Sequence, residues 1–248
     1  MPLKAHPSEF FSTWRLAALA LLLTLAGTHL PAPEPPAPPK KTNSPAPARP
    51  PLQALGGGVF ALGQVRLDKE QRTVTFPATL NQRADAIEYW LVTTYGKTHE
   101  SLLRTDAEPY HIHLALLLLG ARGADTNAFP ADHDAPLPGE PVTLEVSWRE
   151  KDQEQRRRAE ELIFNGETKA LMTRGDWTFN GSRVVEGQFL AQGDGSIISV
   201  KEDEYALINN PRPGRDNDKI WLVHSNGLPP LHTPMQVTIR LRPPPPPP

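Results

Sequence analysis

The chain has 248 residues, with 26 Lys plus Arg against 28 Asp plus Glu, 29 prolines and no cysteine. The lack of cysteine excludes disulfides, iron-sulfur ligation and a thiol nucleophile. Between residues 58 and 242 the count is 21 basic against 26 acidic side chains, which disfavours nonspecific nucleic-acid binding because counterion release needs a cationic surface.

Lys4 and Arg15 precede an apolar run from Leu16 to Ala26, where Thr24 and Ala26 are small enough for a signal peptidase. The run is interrupted by Gly27, Thr28 and His29, short of the ~20 apolar residues that span a bilayer. Residues 1–27 therefore read as a signal peptide, with an uncleaved N-terminal anchor as the alternative. The expected location is the periplasm or the extracellular space. Residues 28–57 are rich in proline and alanine and read as an extended spacer, with little apolar surface to bury. Residues 58–242 are the length of one domain that can form its own core, and 243–248 are a polyproline tail.

Within the domain, Val59–Leu67 and Arg72–Phe76 alternate apolar and polar residues and predict strands, with Pro77 limiting the second. Ile87–Thr93 predicts a third strand, and the turn at Tyr95, Gly96 and Lys97 leads to a fourth over Thr98–Leu103, as a hairpin. Thr105 and Glu108 have the spacing of a capping box, and Pro109 suits a first helical turn. The expected helix, Pro109–Leu119 stopped by Gly120, is apolar on nearly every side from Leu114 onward. Ala121–Pro141 reads as a surface loop, Val142–Trp148 as a strand and Lys151–Gln155 as its return. Arg156, Arg157 and Arg158 face Glu160 and Glu161 along the chain and read as a locally paired patch. Ala159–Phe164 fits a short helix or a strand. Short β segments follow at Trp177–Phe179, Gln188–Ala191, Ser196–Val200, Tyr205–Ile208, Ile220–Val223 and Met235–Leu241. The expected fold is a single α+β domain, a β-rich mixed or antiparallel sheet packed on one principal buried helix at about 109–119.

Two long stretches, GKTHESLLRTDAEPYHIHLALLLLG from Gly96 and ALINNPRPGRDNDKIW from Ala206, with WTFNGS between them, resemble the YdjY-like domain family of bacterial exported proteins. The resemblance covers essentially all of residues 58–242. It implies one module with bacterial envelope placement and supplies no catalytic residues. Cysteine-rich iron-sulfur segments occur in some relatives of that family; electron transfer by that route has no ligands in this chain.

No complete catalytic pattern is present. His99 to Leu103 begins like a zinc-protease helix, but Leu103 stands where the second histidine belongs. His111 and His113, two residues apart on a helix, point about 200° apart at ~100° per residue and cannot chelate one ion together. Asp216, Asn217 and Asp218 open like a calcium loop, then fail at Ile220 and Trp221. Gly193 and Gly195 lack a third glycine, since Ile198 occupies its position, and no GxSxG elbow occurs. Asn180 begins a glycosylation sequon that reads better as a turn.

What remains is two polar loops. Lys97, His99, Glu100 and Ser101 form one; Asn209, Asn210, Arg212, Arg215, Asp216 and Asp218 lie in the other. The first expectation is a non-catalytic binding or assembly module that contacts a protein, or a small anionic or polar ligand, in the envelope. In it, Arg212 and Arg215 grip a carboxylate, phosphate or sugar oxygen, and replacing both by alanine weakens capture at nearly unchanged melting temperature. If those arginines instead bridge internally, the loop is scaffolding. The alternative is a metal-assisted, hydrolase-like enzyme using His99, Glu100, His111, Asp216 and Asp218. No resident cofactor or nucleic-acid partner is expected, and membrane contact would come only through an uncleaved N-terminal anchor.

Overall fold

A computed structural model describes residues 52–124 and 129–243. The expected leader, most of the spacer and nearly all of the polyproline tail lie outside the described residues. Among those described, no helix is long and apolar enough to cross a membrane.

In chain order the strands are β1 (Gln53–Gly56), β2 (Val59–Leu62), β3 (Val65–Asp68), β4 (Thr73–Leu80), β5 (Tyr89–Thr93) and β6 (Ser101–Thr105). Helix α1 (Pro109–Leu118) follows, then β7 (Glu140–Glu150), β8 (Gln153–Arg158), β9 (Ile163–Asn165), β10 (Ala170–Leu171), β11 (Trp177–Phe179), β12 (Val184–Val185) and β13 (Gln188–Phe189). A short helix α2 (Leu190–Asp194) leads to β14 (Ser196–Ser199), β15 (Ile208–Asn209), β16 (Trp221–Val223) and β17 (Pro234–Leu241).

Eight strands close on themselves in the order β4, β17, β7, β11, β15, β14, β5, β6, because β6 also pairs with β4. The domain is thus a closed β-barrel, and the expected sheet packed on a principal helix is corrected. The reason lies in the strands. Val74, Phe76, Ala78 and Leu80 alternate inward on β4, as do Val142, Leu144 and Val146 on β7, and Val237, Ile239 and Leu241 on β17. About eight strands enclose an interior that side chains alone can fill, so no helix is needed to cover it. The helix α1 forms at its expected position but packs against β3, β4 and α2, burying Ile112, Ala115 and Leu116 while Leu117 and Leu118 are each 40 % exposed. Its N-cap, Glu108, makes no side-chain capping bond. The expected capping box is absent because the Thr105 hydroxyl donates to the Pro77 carbonyl and accepts the Ala107 N–H instead.

Two further expectations change. The stretch 59–67 folds as the β2–β3 hairpin, and β1, within the stretch assigned to the spacer, adds to its edge. β4 runs through Pro77 to Leu80. One edge of β4 pairs with β3 at Thr73 and Thr75 and with β6 at Thr79 and Leu80. Pro77, with no N–H to donate, falls in the gap where β4 exchanges one neighbour for the other.

Most consequential for the site, β5 and β6 are parallel, with Tyr89 opposite Ser101 and Thr93 opposite Thr105. The expected hairpin does not form. Gly96 does turn the chain, its N–H bonded to the Thr93 carbonyl at 3.0 Å, but residues 94–100 then carry it back along β5 through a 3-10 turn at Thr98–Glu100. The antiparallel neighbour of β5 is β14. β14 repeats the device: it pairs in parallel with β15, and residues 200–207 make the return. Two short crossings therefore flank the antiparallel β5–β14 pair.

Candidate functional site

The two crossings are tied together by polar side chains. Lys97, in the first, donates to the Tyr89 hydroxyl at 2.7 Å and to Asp194 at 3.0 Å, and lies 4.0 Å from Asp203 in the second. The Tyr89 hydroxyl in turn donates to Asp203 at 2.9 Å. Its phenol is pushed up by burial and by the Asp203 charge beside it. Burial pulls the Lys97 ammonium down, yet bonds to Tyr89 and Asp194 outweigh it and leave the net shift upward. The phenol thus stays protonated and the amine charged, so this pair serves as a latch and not as an acid or base at neutral pH. Asp194 also accepts the Ser196 hydroxyl. Glycine is required where the first crossing passes the turn after α2. Gly195 has φ 78°, and a Cβ there would stand 2.2 Å from the Thr93 hydroxyl oxygen.

The first crossing is fixed from below. The Asn81 amide donates to the carbonyls of Thr98 at 2.5 Å and Ser101 at 2.8 Å, and the Ser101 hydroxyl donates to the Lys97 carbonyl at 2.6 Å. The second is fixed by Asn209, which accepts the Asp203 N–H at 2.8 Å and donates to the Asp203 carbonyl and to Asn180, each at 2.9 Å. Asn180 is buried, and its own amide donates to the Pro138 carbonyl, so it is a strut and not a glycan acceptor. Asn210 donates to the Val200 carbonyl at 3.0 Å.

The arginines of the second predicted loop face inward. Arg215 is 1 % exposed, donating to Glu202 at 2.5 Å and to the Ala135 carbonyl at 2.8 Å. Arg212 donates to the Thr173 carbonyl at 2.6 Å, to Asn210 at 3.1 Å and to Glu160 at 3.1 Å, with its guanidinium 5.4 Å from the Trp177 ring centre. Glu160, also 1 % exposed, collects Arg158, Arg212 and the Trp177 indole N–H. Among the described residues neither arginine pairs with Asp216 or Asp218 of its own loop; apart from the Arg212–Asn210 bond, their partners lie outside it. A planar guanidinium needs several acceptors to offset its desolvation, and the barrel wall supplies them.

The two predicted loops nevertheless meet, through residues absent from either. Lys201 lies 3.4 Å from Glu88 and 4.0 Å from Asp218. Glu88 backs onto Glu100, whose carbonyl accepts the Glu88 N–H at 3.0 Å. Burial and the Glu88 charge push the Glu100 carboxyl up. His99 is exposed, 3.6 Å from Glu100, and Asp216 is exposed as well. Glu100, Glu88, Lys201 and Asp218 thus form one row across the site. The alternative ligand set is not brought together. His111 packs beside Gly63 of the β2–β3 turn, where burial lowers it, and His113 stacks on Phe179 and Phe189. Among the described residues no three His, Asp or Glu side chains are grouped to hold a metal.

Reading the sequence alone overlooked Glu88, Tyr89, Asp194, Lys201 and Asp203. The signal was the charge run KEDE, Lys201–Glu204, wedged between the apolar runs SIISV and ALI. Two buried strands joined through four charges imply that those charges find partners on the body.

Fold and site together define a closed β-barrel domain with a charged surface built on two parallel strand crossings. The chain belongs to the YdjY domain family, whose model matches residues 65–240. No curated protein and no solved structure matches it.

Proposed function

We propose that this domain is a non-catalytic, exported binding module whose partner docks on the row Glu100, Glu88, Lys201 and Asp218, with His99 and Asp216 at its margin. The observation carrying this reading is that burial and the neighbouring Glu88 charge together push the Glu100 carboxyl up, while Lys201 lies between Glu88 and Asp218. A partly buried carboxyl raised by a neighbouring carboxylate favours an added cation. Arg212 and Arg215, the groups that would have gripped an anion, have their donors engaged internally. A basic face of an envelope protein therefore fits better than a small anionic ligand. The envelope setting is supported by the charged and apolar pattern at residues 4–26.

The test places a photo-crosslinking amino acid at His99, which is exposed, in the native host. The expected result is one discrete adduct in the envelope fraction that disappears when Glu88→Lys and Glu100→Lys are combined, with the circular dichroism of the variant unchanged. Absence of an adduct, or one indifferent to charge reversal, defeats the docking site. Full-length protein in the soluble cell interior defeats the export reading separately.

A further inference from the structure

Three asparagines of the chain stand directly before a glycine: Asn165, Asn180 and Asn226. That dipeptide carries its own chemistry. The glycine nitrogen, with no Cβ beside it to hinder approach, can attack the side-chain amide carbon of the asparagine, close a five-membered succinimide and expel ammonia. Water then opens the ring to aspartate or isoaspartate. The reaction needs a side chain able to rotate onto its own backbone and a glycine N–H not held in a hydrogen bond. The fold treats the three pairs differently on both counts.

Asn165 is buried, and its side-chain oxygen accepts the N–H groups of Glu167 at 2.9 Å and Thr168 at 3.0 Å, while Gly166 donates to the Ile220 carbonyl at 2.7 Å. Asn180 is buried as well. Its oxygen accepts the Asn209 amide, its own amide donates to the Pro138 carbonyl, and Gly181 donates to the Leu207 carbonyl at 3.0 Å. Both pairs are locked at the side chain and at the nucleophile. Asn226–Gly227 is locked at neither. It forms the centre of the turn Ser225–Leu228 beyond β16, where residues 225, 226 and 227 are all exposed. One backbone bond closes that turn, from the Leu228 N–H to the Ser225 carbonyl at 3.2 Å. Neither the Asn226 side chain nor the Gly227 N–H has a hydrogen-bond partner among the described residues. The nearest atom that a Cβ on Gly227 would meet is a guanidinium nitrogen of Arg157, at 3.8 Å. Arg157 donates to the Arg156 carbonyl at 2.8 Å, lies 5.9 Å from the Trp148 ring centre, and has no carboxylate partner among the described residues.

We infer that Asn226 is a modification site, at which the folded protein deamidates to aspartate and isoaspartate and gains a carboxylate in the turn beside Arg157, while Asn165 and Asn180 stay intact. The chain is its own substrate and water is the only co-reactant. The bond from the Gly227 nitrogen to the Asn226 Cγ forms as the Cγ–Nδ2 bond breaks, and the Gly227 proton leaves with the ammonia. Water then adds to one of the two imide carbonyls; opening at Cγ gives aspartate, and opening at the main-chain carbon gives isoaspartate. Nothing is oxidised or reduced. The turn belongs to no strand, and its new charge stands next to a guanidinium that lacks a counterion, so the barrel keeps its fold after the change.

The test is incubation of the whole chain at neutral pH and physiological temperature, with peptide mass spectrometry at intervals and isoaspartate assayed by enzymatic methylation. The peptide carrying Asn226 should exchange its amide for an acid at least about tenfold faster than those carrying Asn165 and Asn180, whose reaction waits on local opening. In urea that protection is gone, and the three sites should react within about threefold of one another. Asn226→Gln, which would have to close a less favourable six-membered ring, should remove the fast reaction and leave the slow ones. Asn226→Asp, which makes one product directly, should melt within about 2 °C of the wild type. Equal rates at the three sites in the folded protein, or an Asn226 as slow as Asn165, overturns the assignment. A fall of more than about 5 °C in Asn226→Asp overturns the claim that the fold accepts the charge. These measurements involve no partner, so they stand or fall separately from the crosslinking at His99.

Discussion

Arg215 shows how differently a residue behaves once its surroundings are known. In sequence it stands among aspartates, in a loop with two prolines and a glycine, and looks like a free anion grip. In the fold it is a buried strut between Glu202 and the Ala135 carbonyl. Arg215→Ala leaves Glu202, itself 11 % exposed on its side chain, with the His133 ring at 3.4 Å in place of a guanidinium, and should lower stability by about 3–5 kcal/mol, measured by urea denaturation. Arg212→Ala removes one of several donors to Glu160 and should cost less, about 1–3 kcal/mol. The expectation that both could be removed at constant melting temperature is therefore replaced by its opposite. His113 gives a second residue-scale prediction. Burial lowers its folded pKa to about 4, against 6.5 when unfolded. Its contribution is fully present above pH 6.5 and is lost as pH falls from 6.5 through 4, because the unfolded chain takes up the proton first. Roughly 2–3 kcal/mol of stability should go in that window. His113→Phe should flatten this part of the stability profile relative to the wild type.

At the scale of elements, the helix and most strands were legible because their signals are local. Pro109, the apolar run and Gly120 mark α1 whatever it packs against, and the period of two in β7 and β17 marks strands whatever they pair with. Strand direction was not legible. Thr93 and Ser101 are close enough in sequence for a hairpin, and only the presence of β14 on the antiparallel side of β5 makes β6 enter in parallel. The crossing that results must pass the turn after α2 at backbone contact distance. Gly195→Ala would meet the Thr93 hydroxyl and Gly96 and is strained at φ 78°; a loss of about 2–4 kcal/mol is expected. Hydrogen exchange should show the loss centred on β5, β6 and β14, with α1 less affected. Equal loss of protection everywhere would mean that the crossings are not a separable unit.

For the molecule as a whole, closure is the controlling fact. β17 is bonded to β4 along one edge and to β7 along the other, so a chain ending at His232 leaves an open, two-edged sheet with its interior row of Val237, Ile239 and Leu241 gone. Such a truncation should abolish the cooperative thermal transition and not merely lower its midpoint, because neither open edge has a substitute partner. The sequence by itself determined the absence of cysteine chemistry, the family, the place of α1 and the residues with an inward period, since each of these depends on residue type or on spacing within one segment. Only the tertiary structure decided that the strands close into a barrel, that β5 and β6 run in parallel, and that Arg212 and Arg215 turn inward while Glu88 and Lys201 join the two loops. Those outcomes depend on which distant segment becomes a neighbour, and the energy that selects it, from shared burial and paired charges, exists only after the chain has closed on itself.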